Sequence, residues 1–230
     1  MGKWENPPGD EFRLTVCIID AFPYAGKPKL CTFTPYAGTF ITPLSHTPIT
    51  PLKKIVILGP ESTGKSTLCR KLAQQYDTVW CPEYARTYLE QNGMNYNRQD
   101  LLLIAQGQLA LEAWMAEEAK PPFFFVDTDM YVMKVWFEVV FGDCPPWILK
   151  QAAAQRADLY LLCNTDLPWV PDGLREYPDP AARERLFCMY KDILVNDGTP
   201  WALVSGTEEE RLASAVSAIE ERFGKEEEGE

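Results

Sequence analysis

The chain has 230 residues, is 46% hydrophobic and carries a formal net charge of −11, from 33 Asp and Glu against 22 Lys and Arg. That length supports one substantial core plus an appendage. The acidic balance argues against a general nucleic-acid or anionic-membrane surface, so an anionic ligand has to be met by local cations.

Residues 1–53 stand apart, with prolines at 7, 8, 23, 28, 35, 43, 48 and 51 and a single strand-like stretch from Arg13 to Asp20. An added hairpin, a flexible extension and translated sequence upstream of the natural start all fit this segment, and nothing in it carries recognisable chemistry. The beginning of the chain is polar and acidic rather than basic and then apolar, which speaks against a signal peptide. Asn6 stands where a myristoylation pattern wants Ser or Thr. Apolar runs such as Pro122 to Val126 are too short to cross a bilayer. The seven cysteines include no Cys-x-x-Cys pair and His46 is the single histidine, so the chain spells no zinc site; reduced thiols in the cytoplasm are expected.

From Lys53 onward short apolar runs alternate with helical patterns, the mark of an α/β domain with a mostly parallel sheet. Strands are expected at 54–58, 78–81, 123–127, 159–163 and 201–204. A helix over 101–119 is expected to present Leu102, Ala105, Leu109 and Ala113. The last helix opens on the capping-box pattern Thr207-Glu208-Glu209-Glu210 and shows Leu212, Val216, Ile219 and Phe223 on one face. Residues 54–224 are thus expected to fold as one α/β domain, and 225–230 to form an acidic, solvated tail.

Between the first strand and its helix lies Gly-Pro-Glu-Ser-Thr-Gly-Lys-Ser-Thr, a phosphate-binding loop of the form G-x-x-x-x-G-K-[ST]. Glycine at 59 and 64 allows the backbone to approach an anion closely, and successive N–H groups at a helix N-terminus favour a triphosphate. Gly59, Glu61, Ser62, Thr63, Gly64, Lys65, Ser66 and Thr67 are therefore the expected ATP cradle. Lys65 is expected at the β- and γ-phosphates and Ser66 at Mg²⁺.

An acid at the end of a second buried strand holds the metal or its water shell in such sites, and Asp127 after Phe123-Phe124-Phe125-Val126 meets that need. Asp129 lies two positions on, so extended geometry would turn both carboxylates to the same side; a capping or turn role is the alternative for either. Glu83 and Arg86 follow the second strand, where open α/β sheets collect ligands. Glu83 then suits a base for an attacking hydroxyl and Arg86 a brace for phosphoryl charge, against the plainer reading of an intrahelical ion pair. The Pro- and Gly-containing stretch 166–175, with Arg175, Arg183 and Arg185, suits a lid over the triphosphate, exposed helix charges being the alternative. Guanine-nucleotide switches are excluded, because Asn164-Thr165-Asp166-Leu167 and Asp127-Thr128-Asp129-Met130 fail both of their motifs.

Taken together, Gly59 to Thr67, Glu83-Tyr84-Ala85-Arg86, Asp127-Thr128-Asp129 and Leu167 to Arg175 resemble, in order, the signatures of the ribosylnicotinamide kinase domain of NadR-type NAD salvage proteins, an AAA-like P-loop ATPase domain. The resemblance covers about residues 53–223. It implies a P-loop kinase fold with strand order 2-3-1-4-5 and transfer of the γ-phosphate of Mg-ATP to the 5′-hydroxyl of nicotinamide riboside. It implies Lys65 and Ser66 on phosphate and metal, Asp127 on Mg²⁺, Glu83 on the acceptor hydroxyl, and Arg175, Arg183 and Arg185 in the closing lid. Asp129 is the other candidate for the base, or for ribose hydroxyls. A kinase for another nucleoside or vitamin alcohol, and an ATP-binding regulator without activity, are the competing readings. The pyridinium of such a substrate makes Tyr84, Tyr88, Tyr131 and Trp136 candidate aromatic partners. Neither the His-x-Gly-His motif of adenylyl transfer nor a DNA-binding function is expected.

Overall fold

The computed structural model describes residues 51–224. The strand expected at 13–20 and the tail 225–230 lie outside the described residues.

Ile55, Val56, Ile57 and Leu58 are fully buried, so β1 (Lys53–Leu58) is covered on both faces. A continuous apolar run is what a central parallel strand requires. β1 pairs in parallel with β3 (Phe123–Asp127) on one side and β4 (Leu159–Cys163) on the other. Outside these, β2 (Trp80–Cys81) joins β3 and β5 (Trp201–Val204) joins β4, also in parallel. The order is β2-β3-β1-β4-β5, as the resemblance implies. Of the expected strand at 78–81, only its last two residues enter the ladder.

α1 (Lys65–Gln75) and α7 (Glu208–Phe223) cover one face of the sheet, where Leu68, Leu72, Ala215 and Ile219 pack on Ile55, Ile57, Phe125 and Leu161. Each such side chain contributes roughly 1.5–3 kcal/mol when fully buried. The capping box of α7 forms as expected, with Thr207 and Glu210 exchanging bonds. α2 (Tyr84–Asn92), α3 (Arg98–Glu118), α4 (Met130–Phe141), α5 (Pro146–Ala154) and α6 (Pro180–Asp197) complete the unit, with α3 and α6 both packed on α4. α4 lies on the second face, where Tyr131 meets Tyr160 with ring centroids 5.4 Å apart.

The buried stripe of α3 differs from the expected one. It runs through Leu101, Ile104, Ala105, Gln108, Leu111 and Glu112, while Ala113 is exposed. The cause is an apolar run, Leu101 to Ala105, that leaves the helical phase undefined at its start. The polar members then sit inward because each is satisfied, Glu112 by Lys54 Nζ at 2.6 Å.

Candidate active site

The phosphate loop turns off the end of β1. Gly59 has φ of +143°, and a Cβ there would lie 2.8 Å from the Cys163 carbonyl oxygen, so only glycine fits between the tips of β1 and β4. Gly64, at φ +80°, is the left-handed residue that precedes α1. Inside the loop, the buried Thr63 hydroxyl donates to the Pro60 carbonyl at 2.7 Å. Lys65 Nζ donates to the same carbonyl at 3.0 Å, which keeps its ammonium at the loop.

Beside the loop, Ser66 Oγ donates to Asp127 Oδ2. Asp127 is fully buried and its other oxygen, Oδ1, has no hydrogen-bond partner among the described residues. Burial pushes its pKa up to about 6, with the Lys65 ammonium pulling the other way. A buried orphan carboxylate oxygen next to a hydroxyl is a donor set of the hard-oxygen kind that suits Mg²⁺.

One cleft is lined by the loop from Gly59 to Thr67 together with Glu83, Arg86, Trp136, Tyr177 and Tyr190. Glu83 is the N-cap of α2, yet its side chain makes no capping bond, which leaves the carboxylate free for the cleft. Its position comes from the backbone on either side. Gln108, 2% exposed on α3, accepts from Tyr84 N at 2.7 Å and donates to the Pro82 carbonyl at 3.5 Å and the Thr128 carbonyl at 3.3 Å. Gly107 makes room for this contact, because a Cβ there would come within 2.1 Å of the Tyr84 ring.

Arg86 also lines the cleft, but the intrahelical pair with Glu83 is not formed among the described residues. Its guanidinium instead reaches Asp172 at 2.7 Å and Glu90 at 3.9 Å. Asp172 also meets Arg175 Nε at 3.1 Å, so one carboxylate holds arginines from two segments.

Several residues are placed differently from expectation. Neither Asp127 nor Asp129 lines the cleft itself; Asp127 meets Ser66 beside the loop, while Thr128, with φ of +68°, breaks the alternation of the strand before Asp129. Asp129 is the N-cap of α4, with Oδ1 accepting from Tyr131 N at 2.9 Å and Oδ2 from the Tyr160 hydroxyl at 2.8 Å. It is 5% exposed and does not line the cleft. Arg183 and Arg185 diverge as well, since two residues on a helix are about 200° apart. Arg183 is buried and donates to the carbonyls of Leu167 and Ser62, while Arg185 is exposed. Of the three arginines expected in a lid, Arg175 alone lines the cleft. The side chains of Glu61 and Ser62 engage the 167–177 segment rather than standing free. Among the aromatic candidates Trp136 lines the cleft, Tyr131 packs on Tyr160 and Tyr84 on Gly107.

Sequence reasoning missed Gln108, Tyr177, Tyr190 and Arg211. Arg211, 2% exposed on α7, donates to the carbonyls of Thr63 at 3.2 Å, Val204 at 3.3 Å, Asn164 at 3.1 Å and Gly206 at 2.9 Å, and pairs with Asp166. The available signal for Gln108 and Arg211 was a polar or charged residue in phase with an apolar helix face.

No helix of the described residues is long and apolar enough to cross a membrane. Comparison with known proteins supplies the relatives. The trifunctional NAD biosynthesis/regulator protein NadR of Salmonella typhimurium (strain LT2) is 26% identical over 180 residues, covering 75% of this chain and 43% of its own length. A crystal structure of a NadR protein in complex with NR superposes with a TM-score of 0.61 at 23% identity, over 75% of this chain and 52% of that one. A second, in complex with NAD and AMP-PNP, gives 0.60 at 24% identity, over 75% and 50%. The chain therefore spans less than half the length of that curated relative and about half of each of these structures. With the strand order, these superpositions identify the fold as that of a P-loop kinase. The family model described as an AAA domain matches residues 54–211, and the chain belongs to that family.

Proposed function

We propose that residues 54–224 form an ATP-dependent kinase that transfers the γ-phosphate of Mg-ATP to the 5′-hydroxyl of nicotinamide riboside, giving nicotinamide mononucleotide. The observation that carries this reading is one cleft lined both by the phosphate loop and by Glu83, whose carboxylate makes no capping bond to α2 and has no partner among the described residues. Similarity to a NadR protein that binds NR, taken as nicotinamide riboside, and to one bound to AMP-PNP supports the choice of substrates.

In this reading the loop amides from Gly59 to Thr67 bind the phosphate chain at the N-terminus of α1. Lys65 leaves the Pro60 carbonyl to meet the γ-phosphate, where its charge offsets what develops in the transition state. Ser66 and Asp127 hold Mg²⁺, which when bound neutralises charge on the β- and γ-oxygens. Glu83 accepts the proton of the acceptor hydroxyl as its oxygen attacks. Arg86 and Arg175, tied together through Asp172, bring positive charge to the same cleft. Trp136, Tyr177 and Tyr190, which line the same cleft, are the aromatic residues proposed to meet the cationic pyridinium. The cytoplasm, where ATP meets reduced thiols, is the proposed compartment.

A panel of nucleosides and vitamin alcohols offered with Mg-ATP to the full chain and to Lys65→Ala tests the assignment. Formation of nicotinamide mononucleotide by the wild type and not by Lys65→Ala supports it. Ready phosphorylation of another alcohol, with none of nicotinamide riboside, moves the chain to a kinase of different acceptor. ATP binding through Lys65 with no transfer to any member leaves only a regulator.

A further inference from the structure

An acidic side chain inside an anion-binding loop is electrostatically unfavourable unless it has work elsewhere. Glu61 has such work. Its Oε1 accepts from Trp169 Nε1 at 2.8 Å and Tyr177 N at 2.6 Å, and its Oε2 accepts from Glu176 N at 2.9 Å. All three donors belong to the irregular strap 167–177, and none belongs to the loop. Three N–H groups converging on one carboxylate make charge-assisted bonds, stronger than neutral ones. Ser62 extends the joint, with Oγ accepting from Val170 N at 3.0 Å and donating to the Pro168 carbonyl at 3.2 Å.

From the strap the connection continues to Trp136, on another element that lines the cleft. Glu176 Oε2 accepts from the Tyr96 hydroxyl at 3.0 Å, and that hydroxyl accepts from Trp136 Nε1 at 3.0 Å. Leu174, Glu176 and Tyr177 of the strap line the same cleft as Trp136. The strap is thus fastened at one edge to the phosphate loop through Glu61 and at the other to an aromatic wall.

We propose that Glu61 is a positioning residue for the acceptor, acting through the strap, and makes no attractive contact with the nucleotide. This inference rests on the proposed assignment of the Trp136 and Tyr177 wall of the cleft to the acceptor. A site built in this way gives acceptor affinity to a side chain carried by the nucleotide loop, so occupancy of one end biases the other.

The experiment compares wild type, Glu61→Ala and Glu61→Gln as full chains. It measures the Kd of a fluorescent ATP analogue, the KM of the best acceptor in the panel, and the rate of tryptic cleavage after Arg175. Loss of the three bonds is expected to raise acceptor KM in Glu61→Ala by roughly tenfold or more and to speed cleavage at Arg175 by a similar factor. The Kd of the ATP analogue should stay within about threefold, because the loop amides and Lys65 are untouched. Glu61→Gln should fall between, since its amide keeps one acceptor oxygen and turns N–H donors toward a backbone N–H. It also reports if the alanine variant fails to fold. A fall in ATP affinity as large as the rise in acceptor KM overturns the inference, and so does an unchanged cleavage rate. If the wild type phosphorylates no acceptor, the proposed function fails, while the ATP affinity and the cleavage at Arg175 still decide the role of Glu61.

Discussion

A run of consecutive residues, Gly59 to Thr67, makes the proposed nucleotide part of the cleft, whereas the proposed acceptor part draws Glu83 from the N-cap of α2, Trp136 from α4, Tyr177 from the strap and Tyr190 from α6. The first is held by the local geometry of one turn, with Gly59 wedged against Cys163 and Thr63 bonded to Pro60. The second is held by contacts between segments far apart in sequence, such as Gln108 to Tyr84 and Glu61 to Tyr177. Local geometry fixes a common ligand, the phosphate chain. Long-range assembly leaves each side chain free to change with the acceptor, so specificity resides where the sequence pattern is weakest.

The contrast is open to attack from both ends. Lys65→Ala should cause the largest loss, a fall in kcat/KM of about a thousandfold, because one charge facing the transferred phosphoryl group is removed. A product assay under saturating Mg-ATP measures it, and a loss below tenfold would take Lys65 out of the chemistry. Glu83→Gln should lower kcat by about a hundredfold while leaving ATP affinity within twofold. Parallel loss of both would make Glu83 a support of α2 rather than a base. Gly107→Ala pits roughly 1 kcal/mol of helix propensity against the collision with Tyr84. A net destabilisation of about 1–3 kcal/mol in urea unfolding is expected, together with a fall in kcat as Glu83 is displaced. Full activity in a stabilised variant would separate Glu83 from its α3 socket.

Asp129→Asn should have the smallest effect, below about 1 kcal/mol, with activity retained, whereas Asp129→Ala loses the α4 cap and costs about 1–2 kcal/mol. Burial pushes the Asp129 pKa up to about 6. An unfolded aspartate titrates near about 4, so folding favours the protonated form and wild-type stability declines as pH rises between these values. The Asn variant should lack that decline in denaturation series at pH 4 to 7. A hundredfold loss of turnover in Asp129→Asn would instead restore Asp129 to the catalytic apparatus.

The sheet was largely legible because each strand is a short, nearly unbroken apolar run, and four of the five occupy almost the expected residues. The loop was legible because its function resides in backbone geometry that glycine spelling reveals. Asp129 was misplaced because one left-handed residue, Thr128, cannot be read from a pattern of period two. Arg183 and Arg185 were misjudged as a pair because proximity in sequence does not make a shared face on a helix. Glu61 was read as part of the cradle by its place in the motif, although its side-chain partners lie more than a hundred positions away. Gln108 and Arg211 stand in phase with an apolar helix face, but that signal names no partner, because their bonds go to backbone groups of distant segments.

Arg211 carries a consequence for how the chain is made. Its guanidinium caps the Thr63 carbonyl from a helix near the end of the domain, 148 positions downstream. As the chain emerges from the ribosome, the strand, turn and first helix around Lys65 appear early, but that buried tie to Thr63 is missing until α7 has been synthesised. Nascent chains ending before residue 211 should therefore hold a nucleotide less firmly than the finished domain, which places firm nucleotide binding late in the birth of the protein.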